Sequence, residues 1–484
     1  MTQHHESHHE SLYIDGRWAK PISTQRIEVI SATTEEVIGS VPEASQADVD
    51  SAVAAARRAF DGGWSQTPPA DRAAVINRFA DAMEKRAERI TRAVSMQNGM
   101  PLALSQQFEG GYGVALARYY AGLASGMKQE ERRASPLGFD TLVRHDPIGV
   151  VGAIVPWNYP VVLALTKIAP ALAAGCTLVI KPSPGTVLDS FILAECAAEA
   201  GLPAGVINWV PGGRELGAYL VSHPGITKVA FTGSTAAGRS IAQVCGSLLR
   251  PVSLELGGKS AAIILDDAQL DAVMQGLHFA ALANNGQTCA ACTRILAPKS
   301  RYQEVVDALA AMASSLVVGD PLDLATQVGP LASSEHRARV EGYIAKGKSE
   351  ARVVAGGGRP KNHATRGWFV EPTIFADVDN NAAIAQQEIF GPVLAVIAYG
   401  DEDDAVKIAN DSEFGLGGTV WSTDSERAIK LARRVATGTI GVNGYVIDLN
   451  APFGGVKSSG LGREFGPEAL AAYQQLKSIY LPGG

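Results

Sequence analysis

Cysteine is scarce in this chain: five in 484 residues (Cys176, Cys196, Cys245, Cys289, Cys292), an odd set with no repeated CxxC and no Cys/His spacing. That excludes a disulfide scaffold, argues against a structural zinc site, and fits a reducing, cytoplasmic setting. Cationic excess is also missing, since the net charge is −7. Nothing in that balance would draw the chain to nucleic acid or an anionic membrane. No internal repeat of fixed period is present. The first ten residues, MTQHHESHHE, lack the apolar core of a signal peptide. A disordered polar tail is expected there, with loose metal binding by its four histidines as the alternative. One uncharged run, Pro147–Thr166, is long enough to span a bilayer. Pro156 and Pro160 would break a spanning helix and Asn158 would be a costly polar group in it, so the run reads as a buried strand leading into a helix.

What remains is a large soluble core. The apolar fraction is 46% and the length implies two or three domains. Leu12–Trp18 reads as a hairpin turning at Asp15–Gly16. Helices are expected around Ser45–Gly62, Ala70–Met96 and Leu102–Met127, with Asn98–Gly99 and Pro101 as punctuation. Lys128–Asp146 is charged and extended, as though it leaves the domain. Short apolar runs then alternate with helical segments: Gly149–Val155, Thr177–Ile180, Val206–Val210 and Lys228–Phe231. A second series has Ala261–Leu265, Arg294–Ala297, Arg352–Ala355 and Leu394–Tyr399. The pattern predicts an α/β fold with two doubly wound parallel-sheet domains.

Polar residues at strand ends mark candidate chemistry. Asn158, in PWNYP after the strand Gly149–Val155, can offer an amide N–H to an oxyanion or can stabilise a turn between two prolines. Lys181, at the next strand end, suits a ribose or phosphate, or is a solvated lysine. In FTGSTAAGR, Gly233 permits a tight turn, Ser234 can cap the next helix and Gly238 allows close packing, which makes a helix N-terminus fit for an anion. Glu255 ends an apolar strand in SLELGGKS, where a carboxylate is costly unless paired, protonated or working. Cys289 sits among Asn, Gly, Gln and Thr in NNGQTCAACTR; it is a small core hydrophobe or a nucleophile.

PWNYP, KPSP, FTGSTAAG, ELGGKS, GQTC, EIFGP and PFGGVKSSGLGRE, in this order, resemble the aldehyde dehydrogenase superfamily from Leu12 to Gly484. The resemblance implies oxidation of an aldehyde to a carboxylic acid with NAD(P)+ through a cysteine thiohemiacetal and thioester. It makes Cys289 the nucleophile, Asn158 an oxyanion donor and Glu255 the general base, with Lys167 and Glu464 at positions of a proton relay. Lys181, Ser234 and Gly233, Trp157, Glu388 and Phe390 fall at cofactor positions. Tyr159, Leu163, Thr166, Ala283, Thr288, Ile447 and Phe453 match the aldehyde tunnel, apolar and roomy, so bulky aromatic, terpenoid or medium-chain aldehydes are expected. Pro184 replaces the glutamate that many NAD-preferring members carry, so NAD is expected with NADP as a second cofactor. The alternative is a CoA-acylating relative, against which Glu255 argues. The implied layout has an NAD(P)-binding domain (1–127 and 147–257), a catalytic domain (258–468) and an oligomerisation arm (128–146 and 469–484) of a homodimer or homotetramer. No metal is implied.

Overall fold

The computed structural model describes residues 7–363 and 365–482. The uncharged run after Pro147 becomes β1 (Val150–Ile154), buried throughout. With β2 (Thr177–Lys181), β3 (Ile207–Trp209), β4 (Lys228–Thr232) and β5 (Val252–Glu255) it forms a parallel array in the order β3-β2-β1-β4-β5. Gly460–Leu461 closes that sheet by pairing antiparallel with β5. Between β1 and β4 the winding reverses, and the carboxyl ends of the strands on either side open a crevice there.

A second sheet holds β6 (Ala261–Ile264), β7 (Arg294–Pro298), β8 (Arg352–Ala355), β9 (Thr373–Ala376), β10 (Val393–Tyr399), β11 (Gly418–Trp421) and β12 (Gly441–Val442). Its order is β8-β9-β10-β7-β6-β11-β12, parallel except for β8. Helices cover both sheets, as buried parallel strands require. Four of them bear on the site: α1 (Ala87–Asn98), α2 (Pro160–Ala174), α3 (Thr235–Ser247) and α4 (Ser334–Glu350). A separate antiparallel sheet joins Glu130–Ala134, Asp140–Pro147 and Gln474–Leu481, with the middle segment between the other two. Among the described residues no helix is long and apolar enough to cross a membrane.

Several expectations need correction. The single helix expected over Ala70–Met96 is two, Pro69–Glu84 and Ala87–Asn98. The turn at Lys85–Arg86 sends both side chains to Glu199, and no glycine or proline signals it. Within the long helical stretch beyond Pro101, Gln106–Tyr112 is a π-helical turn. Within the expected polar tail, Ser7–His8 forms a strand that pairs with Val37–Pro42, and the His9 ring packs on Phe191 at 4.3 Å. His4 and His5 lie outside the described residues. Strands β9 and β11, four residues each, were not among the expected strands.

Candidate active site

The two sheets meet at a cleft of about 220 Å³. The ends of β1, β4 and β5 supply Trp157, Asn158, Thr232, Gly233 and Gly257; the loops entering β7 and β10 supply Cys289, Glu388 and Phe390. The loop before β7 is held in an unusual shape. Asn284 and Asn285 both adopt left-handed backbone (φ 52° and 61°), a conformation asparagine tolerates better than most residues. At Gly286 a β-carbon would lie 2.3 Å from the Gly391 carbonyl, so the next turn needs glycine. Cys289 follows, half-buried at the cleft.

The electrostatics of the cleft favour the thiol form of Cys289. Burial, with Glu388 and Glu255 adding negative potential, pushes it up to about 12, against a smaller pull from the Ala290 N–H. Asn158 is buried and its Nδ2 donates to the Gln287 carbonyl at 3.0 Å, which leaves its other N–H free. Glu255 is 4% exposed and neither carboxyl oxygen has a hydrogen-bond partner. Burial, then the Glu464 charge, raises it well above the usual carboxylate range. Its neighbour must be small: a β-carbon on Gly454 (φ 154°) would stand 2.6 Å from Glu255 Oε1. Lys167, fully buried on α2, donates to Glu464 Oε1 at 2.5 Å and to Thr232 Oγ1 at 2.8 Å. Together these groups make one buried acid–base cluster behind the thiol.

On the outer side, Ser234 caps α3 by accepting from the Ala237 N–H at 3.3 Å and stands exposed at the helix N-terminus. Gly238, one turn on, packs so closely that a β-carbon would lie 2.5 Å from Leu256. Lys181 donates to the carbonyls of Gly212 (2.6 Å) and Pro182 (3.1 Å), and burial lowers it to about 8. Glu388 Oε1 accepts from the Gly258 N–H at 2.9 Å, and Gly257 leaves room for its other oxygen. The groove thus carries a helix N-terminus, the Glu388 carboxylate and the rings of Trp157 and Phe390, 5.3 Å apart and nearly perpendicular, with the buried Lys181 cation at the neighbouring strand end. Such a donor set fits a dinucleotide.

Inward of Cys289 the surface turns apolar and aromatic. Tyr159 bonds Thr288 through its hydroxyl at 2.9 Å, and Thr288 donates to the Ala283 carbonyl. The Phe108 ring meets Tyr159 edge-on at 5.9 Å and stacks on Phe279 at 5.8 Å. Tyr112 donates to the Ile447 carbonyl at 3.0 Å, and Leu163 is partly buried beside them. Thr166 is 1% exposed, its hydroxyl donating to Leu163 O and accepting from Lys167, while Phe453 meets Phe465 edge-on at 6.1 Å and Phe465 meets Tyr112 edge-on at 6.0 Å.

Sequence reasoning missed Phe108 and Tyr112, because the π turn rotates the helix face that a regular period would assign. It missed Phe279 on the helix Leu270–Leu282. It also missed His336 on α4, whose Nε2–H donates to Phe390 O at 2.7 Å and whose burial lowers it to about 4. Nor did it find Glu109, which is fully buried and accepts from the Val161 and Val162 N–H groups at the start of α2. Burial lifts that carboxyl to about 8. The two adjacent glycines Gly110–Gly111 in a helical run were the one available signal.

Comparison with known proteins gives a consistent picture. The profile described as "Aldehyde dehydrogenase family" matches residues 18–479. Geranial dehydrogenase of Castellaniella defragrans is 60% identical over 476 residues, 98% of this chain and 99% of that one. The crystal structure of Mycobacterium tuberculosis aldehyde dehydrogenase complexed with NAD+ superposes with a TM-score of 0.96 at 49% identity, covering 99% of each chain. Aldehyde dehydrogenase C of Pseudomonas syringae, a C291A mutant complexed with NAD+ and octanal, gives 0.95 at 39% identity, covering 100% of this chain and 98% of that one.

Proposed function

The chain belongs to the aldehyde dehydrogenase family, and from that premise we propose that Cys289, Asn158 and Glu255 carry NAD-dependent oxidation of a bulky hydrophobic aldehyde to its acid. The observation that carries the reading is Glu255: a buried carboxyl with both oxygens unpartnered, next in sequence to the cleft-lining Leu256 and close enough for its charge to act on the half-buried Cys289 thiol. An unsatisfied buried carboxylate costs stability, and such groups concentrate where they work.

Cys289 loses its proton to Glu255 and its sulfur bonds to the aldehyde carbon. The carbonyl pair moves onto oxygen, which accepts from the free Asn158 N–H and the Cys289 backbone N–H. NAD+, held by Lys181, Ser234 and Glu388, supplies the acceptor for the hydride that the tetrahedral carbon releases, leaving a thioester on Cys289. Glu255 then takes a proton from water as its oxygen attacks the thioester carbon; the C–S bond breaks, the acid leaves and the thiolate is restored. Lys167 and Glu464 carry the proton from Glu255 outward. A buried ion pair behind the base, linked to the Thr232 hydroxyl, supports that assignment.

For the substrate, the rings of Phe108, Tyr112, Tyr159 and Phe279 form a wall without charge. Identity of 60% to a geranial dehydrogenase and the octanal complex of the Pseudomonas syringae relative support terpenoid and medium-chain aldehydes. NADH formation over a panel of geranial, octanal, benzaldehyde, acetaldehyde and betaine aldehyde tests it; the highest kcat/KM for either of the last two would refute it. The six-stranded sheet with residues 1–127 and 147–257 is assigned to the cofactor, and 258–468 to catalysis. The three-stranded sheet, with Leu137, Leu476 and Tyr480 exposed, is assigned to pairing with a second copy in a dimer or tetramer. Five unbridged cysteines support a cytoplasmic location.

A further inference from the structure

Asn98 takes part in no step above, yet it is 0% exposed at the last position of α1. Its Nδ2 donates to two consecutive carbonyls, those of Trp157 and Asn158, each at 3.1 Å. Its Oδ1 accepts the Met100 N–H at 2.9 Å. Both of its N–H donors are therefore spent on the backbone that carries Asn158. The Asn158 carbonyl also accepts from Asn284 Nδ2 at 2.8 Å, and Gln287 Nε2 donates to the Asn98 carbonyl at 3.3 Å. The end of α1 is itself clamped. A β-carbon at Gly99 (φ 79°) would lie 2.0 Å from Pro330 O, and Asn285 Nδ2 bridges the Gly99 and Pro330 carbonyls at 2.8 Å each.

Resting on the assignment of Asn158 as oxyanion donor, we propose that Asn98 is the positioning residue that fixes that donor against the nucleophile loop. Aspartate has the same shape but no N–H, and would set a carboxylate against two carbonyl oxygens. Serine is too short to reach both. A displacement of about 1 Å in a reacting group costs about a hundredfold in rate.

The test measures kcat, KM and thiol reactivity in Asn98→Ser, Asn98→Asp, Asn158→Ala and the double variant Asn98→Ser/Asn158→Ala. Asn98→Ser and Asn98→Asp are expected to lower kcat by at least about tenfold, with the aldehyde KM within about threefold. Alkylation of Cys289 by iodoacetamide builds no oxyanion, so its rate should stay within about twofold of wild type, which general loosening of the fold would not allow. In the double variant the serine should add less than about twofold to the loss caused by Asn158→Ala, since both act through one group. An unchanged kcat in both Asn98 variants, alkylation falling in step with kcat, or full additivity in the double variant would each overturn the role of Asn98. A wild-type kcat in Asn158→Ala would instead remove the oxyanion assignment, and this inference with it.

Discussion

Replacing Glu255 by glutamine keeps the shape of the side chain over Gly454 and removes the base. The structure gives the change two opposite effects. On activity, a positioned general base contributes about 10²–10⁴ in rate, or about 2.7–5.4 kcal/mol at 1.36 kcal/mol per tenfold. Steady-state turnover should fall by that factor, and if the loss lies in hydrolysis of the thioester, rapid mixing should still show a first turnover of NADH before the slow phase. On stability the sign reverses. Burial and the Glu464 charge raise the folded-state value of Glu255 above its ordinary 4.5. The fold therefore binds that proton more tightly than the unfolded chain. The contribution is fully present below about pH 4.5 and is lost as pH rises through the folded value. Above that window the wild type carries a buried unpartnered carboxylate and the glutamine variant does not. The variant should thus unfold at a higher temperature at any pH above the raised value while turning over far more slowly. The wild-type kcat should climb as pH rises through the raised value, and that acid limb should vanish in Glu255→Gln. Turnover within about threefold of wild type, or an unchanged acid limb, would refute the reasoning.

Lys167→Met leaves Glu464 buried without its cation, and should cost about 3–5 kcal/mol in chemical denaturation, largely recovered in Lys167→Met/Glu464→Leu. Gly454→Ala brings a β-carbon to within 2.6 Å of the Glu255 carboxylate at a backbone φ of 154°, so steady-state turnover should drop with little change in the KM for NAD. Pro184 sets no carboxylate against a 2′-phosphate, so the kcat/KM preference for NAD over NADP should stay below about a thousandfold, some 4 kcal/mol; a larger preference in side-by-side assays would contradict it.

Much of the site was legible because parallel strands are apolar by requirement, so a polar residue at a strand end stands out. Asn158, Lys181 and Glu255 were singled out as candidates that way, and the two doubly wound sheets followed from the spacing of the runs themselves. Other features carried no such mark. Asn98 reads as ordinary helix punctuation; its bonds to the Trp157 and Asn158 carbonyls depend on packing between α1 and the end of β1. Phe108 and Tyr112 sit on a π turn, where a seven-residue change of pitch moves the face that a 3.6-residue period would assign. At the break after Glu84, Lys85 and Arg86 pair with Glu199, a residue far along the chain, and no glycine or proline in the local window marks the break. Thr166 looked like tunnel wall by position, but its hydroxyl lies between Leu163 O and Lys167 Nζ in the core.

The central claim, that Cys289 carries the acyl group, is tested most directly by acid-quenching the enzyme in the first turnover with NAD+ and octanal and mapping the modified peptide by mass spectrometry. The account predicts an octanoyl group on Cys289, with Cys292 unmodified, and no adduct and no NADH in Cys289→Ala. An acyl group on any other residue, or NADH formation persisting in Cys289→Ala, would contradict it.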